Sequence, residues 1–385
     1  MKKRLCFLVD SIFTFGGVQR VTSVISKTLS SDYDITILTL DKPEQQDLAI
    51  YDLQASDLHF RFMSFPPLPP RKRWLTKAYS YLFRRWLPQT RWTSRLYAHS
   101  SFPAEKRMPL VRELQAGRYD IIVGVHAPLA VRLASCRRYL PGVRLIGWIH
   151  NSYQALFAEG SRYAGPELRR HFEYQLETLD DTVVLCQHDA QQFSFPTRVI
   201  YNPLTLQPAA PSKGTSQEFL AVGRFTPQHK GFDLLIEAFR LFSQKNDTWT
   251  LTIVGEGPEG DIYQNLIKQY GLDQRITIHP FTHDIQRYYS AAQVYVLSSR
   301  WEGMPLVLME AMAHGLPVVA SDLPVCREIM GDFALYFPTG SIEQLAQQLD
   351  AATRIDFQQR SAQALAIASH YNVESIVRQW RELLG

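Results

Sequence analysis

The chain has 385 residues, a length that predicts about two domains, and its content of 45% apolar and 20% charged residues is typical of globular proteins. The net charge of +4 is small, so nothing global calls for a nucleic-acid partner. Four scattered cysteines and the lack of any 18-residue apolar run argue against a disulfide framework, a structural zinc site and a transmembrane helix.

The first half of the chain alternates short apolar runs with helical patterns. Strands are expected at Arg4–Asp10, Ile35–Leu40, His59–Met63, Ile121–Val125, Arg144–Ile149 and Thr182–Leu185. Helical spacing is found at Val18–Leu29 and Leu129–Tyr139. Several strands are apolar without alternation, which is typical of strands covered on both faces. The βαβα order predicts a parallel sheet with helices on both sides.

The second half repeats this pattern after a Pro- and Gly-rich segment, 202–215, which we interpret as a linker. Strands are expected at Glu218–Val222, Thr250–Val254, Ile276–His279, Val294–Leu297, Val318–Ala320 and Ala334–Phe337. Helices are expected at Phe232–Ser243, Glu259–Tyr270, Leu306–His314, Ile342–Ala352 and Tyr371–Leu384. The sequence therefore predicts two similar α/β domains with a cleft between them, and ligands at the carboxyl ends of the strands.

One segment departs from this pattern. Ten basic residues and a single acidic residue, Glu105, lie between Arg71 and Arg107, together with eight aromatic residues. Such a mixture favours contact with anionic lipid or with an anionic acceptor, and the alternative is an ordinary solvated face.

Two loops carry groups suited to a nucleotide diphosphate. Gly16 and Gly17 follow the first strand, where they would let backbone approach a ligand, although a plain βα turn is the alternative. Arg224 and Lys230 flank the turn after the strand that ends at Val222, where two cations suit a diphosphate unless they are merely solvated.

A third loop combines backbone and carboxylate groups. Gly303 permits close approach, Pro305 fits the first turn of the next helix, and Glu302 and Glu310 flank that turn. Carboxylates accept hydrogen bonds from the vicinal hydroxyls of a sugar or a ribose. The alternative for Glu310 is a helix-face charge.

These motifs, together with Gly255-Glu256-Gly257-Pro258, occur in the order found in a known family. The chain resembles the retaining glycosyltransferases of the GT-B fold, glycosyl transferases group 1, whose signature is Glu-x7-Glu and which serve bacterial surface glycans. The resemblance implies an α/β architecture of two Rossmann-like, doubly wound parallel-sheet domains facing a cleft. Residues 1–203 and 371–385 would bind the acceptor, with a basic aromatic insert at 66–108, and residues 204–370 would bind the donor. The last helix would cross back to the first domain.

The resemblance also implies roles for individual residues. Arg224 and Lys230 would hold the diphosphate, approached by Gly16 and Gly17 from the opposite domain, and Glu310 would bind the ribose. Contacts to the transferred sugar, the phosphate and the base would come from Glu302, Gly303, Met304, Pro305, Leu306, Pro280 and Phe281.

Two histidines at strand ends compete for the catalytic role. His126 is expected beside the donor sugar, and His150 with Asn151 near the acceptor, whereas a structural histidine is the alternative for each. The resemblance implies four catalytic residues: His126, Glu302, Arg224 and Lys230. No metal and no cofactor is expected, because Arg224 and Lys230 would stabilise the leaving diphosphate in place of a metal ion.

The expected activity is hexosyltransfer with retention, from a nucleotide sugar, favoured as UDP-linked, to a glycan or lipid-linked acceptor in lipopolysaccharide, capsule or other surface-polysaccharide synthesis. The expected location is the cytoplasm, peripheral at the inner face of the cytoplasmic membrane through 71–107. Two other readings stay open: a GT-B nucleotide-sugar epimerase, and a non-enzymatic protein that binds single-stranded nucleic acid through its basic segment. We expect no nucleic-acid partner.

Overall fold

The computed structural model describes residues 2–161, 163–206, 208 and 210–385. The chain divides into two compact units, one formed by Met1–Tyr201 with Ile376–Gly385 and the other by Asn202–Ser375. Each unit is a parallel sheet with helices, as the βαβα order predicted.

The first unit contains a seven-stranded sheet in the order β3-β2-β1-β4-β5-β6-β7. Its strands are β1 (Arg4–Val9), β2 (Asp34–Thr39), β3 (His59–Phe62), β4 (Ile121–Val125), β5 (Arg144–Trp148), β6 (Asp181–Val184) and β7 (Arg198–Val199). Its helices are α1 (Gly17–Leu29), α2 (Pro70–Arg85), α3 (Arg91–Ser101), α4 (Ala104–Gly117), α5 (Ala127–Cys136), α6 (Tyr153–Phe157), α7 (Arg169–Leu176) and α8 (Gln187–Gln192). The two-residue strand β7 was not predicted, because so short a run carries no periodicity.

The second unit contains a six-stranded sheet in the order β10-β9-β8-β11-β12-β13. Its strands are β8 (Glu218–Val222), β9 (Thr250–Val254), β10 (Ile276–His279), β11 (Val294–Leu297), β12 (Val318–Ser321) and β13 (Leu335–Phe337). Its helices are α9 (Phe232–Ser243), α10 (Gly260–Gln269), α11 (Gln286–Ala291), α12 (Leu306–Ala313), α13 (Pro324–Met330), α14 (Ile342–Ala352) and α15 (Phe357–Ser369).

The apolar patterns explain these elements. Every residue of β4 and β11 is buried, as expected for central strands covered on both faces. Helix α9 buries the apolar stripe that includes Phe232, Ile236 and Phe239 and leaves its polar residues on the other side. All four cysteines are buried and reduced.

The last helix, α16 (Val373–Leu384), returns the chain to the first unit. Its Trp380 is fully buried and meets Trp148 of β5 edge to face, with 4.7 Å between ring centroids. Arg381 donates to Asp32 over 2.9 Å. The resemblance to the GT-B family implied this return of the last helix to the first unit.

The segment interpreted as a linker packs within the second unit where it is described; Gln207 and Ala209 lie outside the described residues. The Leu204 N–H donates to the carbonyl of Tyr371 over 2.6 Å, and the Ser212 N–H donates to the carbonyl of His314 over 2.8 Å. The basic segment folds as α2, α3 and the start of α4. Within the described residues, no helix is both long and apolar enough to cross a bilayer.

Candidate active site

The loop after β8 projects Arg224 by anchoring its neighbour. Phe225 is 2% exposed and packs edge to face against Phe232 and Tyr263. Its N–H donates to the carbonyl of Glu256 over 2.8 Å, which fixes this loop against the glycine loop after β9. Because Phe225 points into the core, the preceding Arg224 side chain is exposed at the carboxyl end of the sheet.

The same loop is joined to the loop after β11. Gly231 has a φ of +64°, and a Cβ atom there would lie 2.1 Å from the carbonyl oxygen of Ser298, so only glycine fits. The Ser298 hydroxyl donates to the carbonyl of Lys230 over 2.8 Å, and the Arg300 N–H donates to the carbonyl of His229 over the same distance. These contacts bring together two loops that the sequence places about 70 residues apart.

Lys230 and Glu302 meet at this junction. The Lys230 Nζ lies 2.7 Å from Glu302 Oε1, and the Ser299 hydroxyl donates to the same oxygen over 2.6 Å. The Lys230 and Glu302 side chains are 13% and 7% exposed, so the pair is largely removed from water. Burial alone would raise the pKa of Glu302, but Lys230 and then His229 outweigh it and hold that pKa below its usual range. Glu302 is therefore an ionised acceptor beside an ammonium group.

Glu310 lies in α12, a helix that is otherwise apolar. Glu310 is 2% exposed, and its Oε2 accepts a hydrogen bond from the Tyr289 hydroxyl over 3.0 Å. Tyr289 stacks on His314, whose Nδ1 lies 2.8 Å from the Glu310 carbonyl. The carboxylate is thus held by a second helix, which argues against a mere helix-face charge.

The phenol of Tyr295 is affected by the charges of both carboxylates, Glu302 and Glu310. Tyr295 lies on β11 and is fully buried. Burial, then Glu302 and then Glu310, raise the pKa of its hydroxyl well above the usual value. Both carboxylates therefore act on one buried phenol at the carboxyl end of the sheet, where an α/β fold binds its ligands.

The other predicted donor contacts surround this pair of loops. Met304 is buried, and its sulfur accepts from the Asn202 N–H over 3.0 Å. Pro305 precedes the first residue of α12, Leu306, so it caps the helix rather than lying in its first turn. Pro280 and Phe281 follow β10 and are exposed, and the Phe281 ring is 44% accessible.

Gly16 and Gly17 stand where β1 leads into α1. Gly16 has an extended φ of 177°, which any residue adopts, so a turn does not require glycine there. Its N–H donates to the Tyr51 hydroxyl over 2.9 Å. Sequence analysis did not predict this contact with Tyr51, which a ligand that approaches the Gly16 amide would have to replace.

His126 ends β4 and caps α5 with a left-handed backbone, at a φ of +75°. Such a conformation is costly for a residue other than glycine and is concentrated at functional sites. Its Nδ1 lies 3.3 Å from Asn151 Oδ1. Because an amide oxygen can only accept, Nδ1 carries the proton and Nε2 is left as an acceptor.

Two further groups complete this cluster in the first unit. The His150 ring lies 5.5 Å from that of His126, and burial, then His126, lowers its pKa well below the usual value, so His150 is neutral. Asp10, directly after β1, was not singled out. Burial raises its pKa against the opposing effects of Arg132 and His126. The sheet order could have identified Asp10, because β1 lies next to β4 and the two parallel strands end at the same edge of the sheet.

Comparison with known proteins agrees with this geometry. Residues 205–366, nearly the whole second unit, match the family described as Glycosyl transferases group 1. An uncharacterized glycosyltransferase of Haemophilus influenzae is 29% identical over 73% of this chain and 79% of its own length. The amylovoran biosynthesis glycosyltransferase AmsD of Erwinia amylovora is 26% identical over 99% of both chains.

Among solved structures, HepE of Anabaena in complex with UDP superposes with a TM-score of 0.75 over 100% of this chain and 99% of HepE, at 20% identity. This similarity establishes the fold, GT-B with two Rossmann-like parallel-sheet domains. Over residues 205–366, the chain is similar to the glycosyl transferases group 1, and its curated relatives are glycosyltransferases.

Proposed function

We propose that the protein is a retaining hexosyltransferase that moves a hexose or N-acetylhexosamine from a UDP-linked donor to a glycan or lipid-linked acceptor. The product would belong to lipopolysaccharide, capsule or other surface-polysaccharide synthesis. The observation that carries the proposal is the buried Lys230–Glu302 pair beside Glu310. The place of AmsD in amylovoran biosynthesis and the UDP bound by HepE support it.

The donor fits these groups by charge. A diphosphate needs cations and backbone N–H groups, and Arg224 and Lys230 stand at one strand end. A phosphate oxygen can share Lys230 with Glu302, while Glu302 accepts from a hydroxyl of the transferred sugar. Glu310 accepts from the ribose hydroxyls, and the exposed Pro280–Phe281 stretch flanks the base. The site therefore orients the bond between sugar and phosphate at the Lys230–Glu302 pair.

Cleavage of that bond places negative charge on the leaving UDP. Arg224 and Lys230 stabilise this charge, so the reaction proceeds without a metal ion. A phosphate oxygen of the leaving group takes the proton of the acceptor hydroxyl on the face that the leaving group occupied. The acceptor oxygen bonds to the anomeric carbon on that same face, and configuration is retained. His126, neutral through burial, accepts a hydrogen bond at Nε2 from a sugar hydroxyl.

The proposal is tested by measuring thermal unfolding with UDP, GDP and ADP sugars, followed by transfer assays in EDTA. A donor at 100 times its Kd adds about 2.7 kcal/mol to the free energy of unfolding. We expect UDP sugars to stabilise the chain and transfer to survive EDTA. Absence of stabilisation by every nucleotide sugar at millimolar concentration would contradict donor binding, and loss of transfer in EDTA would contradict metal independence.

The basic segment indicates where the acceptor is met. Helix α2 buries Phe83, which stacks on Tyr97 of α3 with 4.2 Å between centroids. Its opposite face is also apolar: Trp74 is 68% exposed and Tyr81 is 60% exposed, seven residues or two turns further on. A helix that is apolar on both faces requires an apolar partner for the second face.

The charge of the segment supports an anionic lipid surface as that partner. Arg71 and Arg85 lie three or four residues from the exposed apolar positions of α2 and share their face. The segment's one carboxylate, Glu105, is already paired with Lys72. The same face on a second copy of the chain would be repelled, because both faces are positively charged. Trp and Arg together instead suit a lipid interface. We define the docking face as Arg71, Trp74, Leu75, Tyr81, Leu82, Arg85, Trp86 and Trp92. It would hold the enzyme in the cytoplasm, at the inner face of the cytoplasmic membrane.

A further inference from the structure

A cavity of about 830 Å³ opens in the first unit, and its lining includes Tyr153, two residues after Asn151. This volume is within the range of small-molecule sites, roughly 300–1,000 Å³. Its polar walls come from α6, the start of α7 and α8, and include Gln154, Arg169, Arg170, His188 and Gln192. Since α6 follows β5 and α8 follows β6, the cavity lies at the carboxyl edge of the sheet, where α/β folds bind ligands.

The cavity is positive because of where α7 begins. Arg169 and Arg170 are the first two residues of this helix, whose N-terminus is itself positive. Cations at that end are unfavourable for the helix alone, so their placement costs stability unless an anion offsets it. Both side chains are exposed and can reach such an anion.

The neighbouring carboxylates are engaged elsewhere. Glu167 pairs with Arg84 over 3.1 Å and Glu177 with Arg91 over 2.8 Å, both within the basic segment. Glu173 accepts from the hydroxyls of Tyr153 and Ser194 over 2.7 and 2.9 Å. Glu167 and Glu177 therefore pair with the basic segment, whereas Glu173 contacts the cavity-lining Tyr153 and opposes the charge of one of the two arginines.

The cavity shares a wall with the docking face. Leu87 and Gln89, which line it, follow directly after Trp86 at the end of α2. Gln89 also donates to the carbonyl of Glu167 and accepts from the His171 N–H, which ties this connection to α7. A molecule anchored in the lipid beneath Trp86 thus has its head group next to two arginines.

We propose that this cavity binds the phosphate group of the acceptor, presented at the membrane surface by a lipid-linked glycan. The inference rests on the proposed function, since it assigns the acceptor that the UDP sugar serves. Arg169 and Arg170 form charge-assisted hydrogen bonds to the phosphate oxygens, and the glutamines contact the adjoining sugar. The shared chemistry is a phosphate ester, which a soluble phosphorylated sugar also carries.

The test measures binding of farnesyl diphosphate to the full chain saturated with UDP, so that the donor site is occupied. We expect the double variant Arg169→Gln/Arg170→Gln to bind at least tenfold more weakly, since it loses charged hydrogen bonds to the phosphate oxygens. The conservative variant Arg169→Lys/Arg170→Lys should keep most of the affinity. Arg112→Gln/Arg378→Gln, which removes two exposed arginines elsewhere in the first unit, should bind like the native chain.

Two further ligands separate the sources of phosphate. Farnesol, which lacks phosphate, should bind weakly and equally to all variants. Glucose 1-phosphate should bind more weakly than farnesyl diphosphate if the acceptor is lipid-linked; equal binding that also depends on Arg169 and Arg170 would keep the phosphate site and assign it to a soluble acceptor. Native affinity of Arg169→Gln/Arg170→Gln for farnesyl diphosphate would overturn the proposal. UDP affinity, measured separately, reports on the donor site, so failure of one proposal is distinguishable from failure of the other.

Discussion

Lys230 and Glu302 form a largely buried pair, so removing one partner differs from removing both. Lys230→Met leaves the Glu302 carboxylate buried without its main cation, and we expect the free energy of unfolding to fall by about 3–5 kcal/mol. The double variant Lys230→Met/Glu302→Gln should recover most of this loss. UDP affinity should be lost in both, because the phosphate cation is absent.

Urea unfolding and UDP calorimetry on the native chain, Lys230→Met and the double variant measure these effects. A double variant that regains UDP affinity together with stability would show that Lys230 serves the fold alone. The assignment of Lys230 to the diphosphate would then be wrong.

His171 makes the stability of the first unit depend on pH. Burial, opposed by Ser94, lowers its pKa to about 4, whereas an unfolded histidine titrates near 6.5. Below about pH 6.5 the unfolded chain binds a proton that the folded chain does not, so stability falls by about 1.4 kcal/mol per pH unit from this group. This stability is regained as the pH rises to 6.5, where the unfolded chain also loses its proton.

His171→Gln removes this titration while keeping a partner for the Ser94 hydroxyl. Between pH 6.5 and 5, we expect the free energy of unfolding of this variant to fall less steeply than that of the native chain, in urea titrations at each pH. His370→Gln, at an exposed position, is the control for loss of an imidazole. Equal slopes for native and His171→Gln chains would contradict the burial argument.

At the scale of residues, the sequence identified the charged groups but not their partners. Arg224, Lys230, Glu302 and Glu310 stand out because charge follows a buried strand or interrupts an apolar helix. The Lys230–Glu302 pairing could not be predicted, because it depends on how two loops about 70 residues apart close on each other. Tyr289 carries no motif, and only the packing of α11 against α12 reveals its hydrogen bond to Glu310.

At the scale of elements, Gly231 joins the loops after β8 and β11. Gly231→Ala would place a Cβ atom 2.1 Å from the Ser298 carbonyl oxygen and must separate the loops. Gly271 has nearly the same φ, +66° against +64°, but nothing lies within 4 Å of its Cβ position. Gly271→Ala therefore measures the backbone strain alone, about 1 kcal/mol.

We expect Gly231→Ala to lose more stability than Gly271→Ala and to bind UDP at least tenfold more weakly, as measured by thermal unfolding and calorimetry. UDP affinity should be unchanged in Gly271→Ala. If Gly231→Ala bound UDP normally, the junction of the two loops would not position Lys230.

Central elements were predictable because burial on both faces leaves a clear pattern. Strands such as β8, β9 and β11 have the predicted bounds. The helices of the basic segment were not predicted, since α2 carries apolar residues on two faces and charge between them. The lipid surface that we propose as a partner would account for that pattern.

At the scale of the whole molecule, the docking face should decide where the enzyme works. Sedimentation with vesicles of anionic lipid should carry the native chain down at low salt and release it as salt rises. The triple variant Trp74→Ser/Trp86→Ser/Trp92→Ser should lose most of this binding. A control, Ile262→Ser/Leu365→Ser, removes exposed apolar groups of the second unit and should still sediment.

Binding of single-stranded oligonucleotide in preference to vesicles, with the same loss in the tryptophan variant, would instead support a nucleic-acid surface. Equal sedimentation of native and triple-variant chains would contradict the docking face. Neither result would bear on the proposed donor site, whose residues belong to the other unit.

The central claim is that the second unit holds a UDP-linked donor, and calorimetric titration of UDP tests it most directly. Glu310→Gln keeps an oxygen for the Tyr289 hydroxyl but loses the charge that accepts from the ribose, while Glu343→Gln removes an exposed charge elsewhere in the unit. We predict that the native chain and Glu343→Gln bind UDP alike and that Glu310→Gln binds at least tenfold more weakly. No UDP binding by the native chain, or the same affinity in Glu310→Gln, would contradict the account.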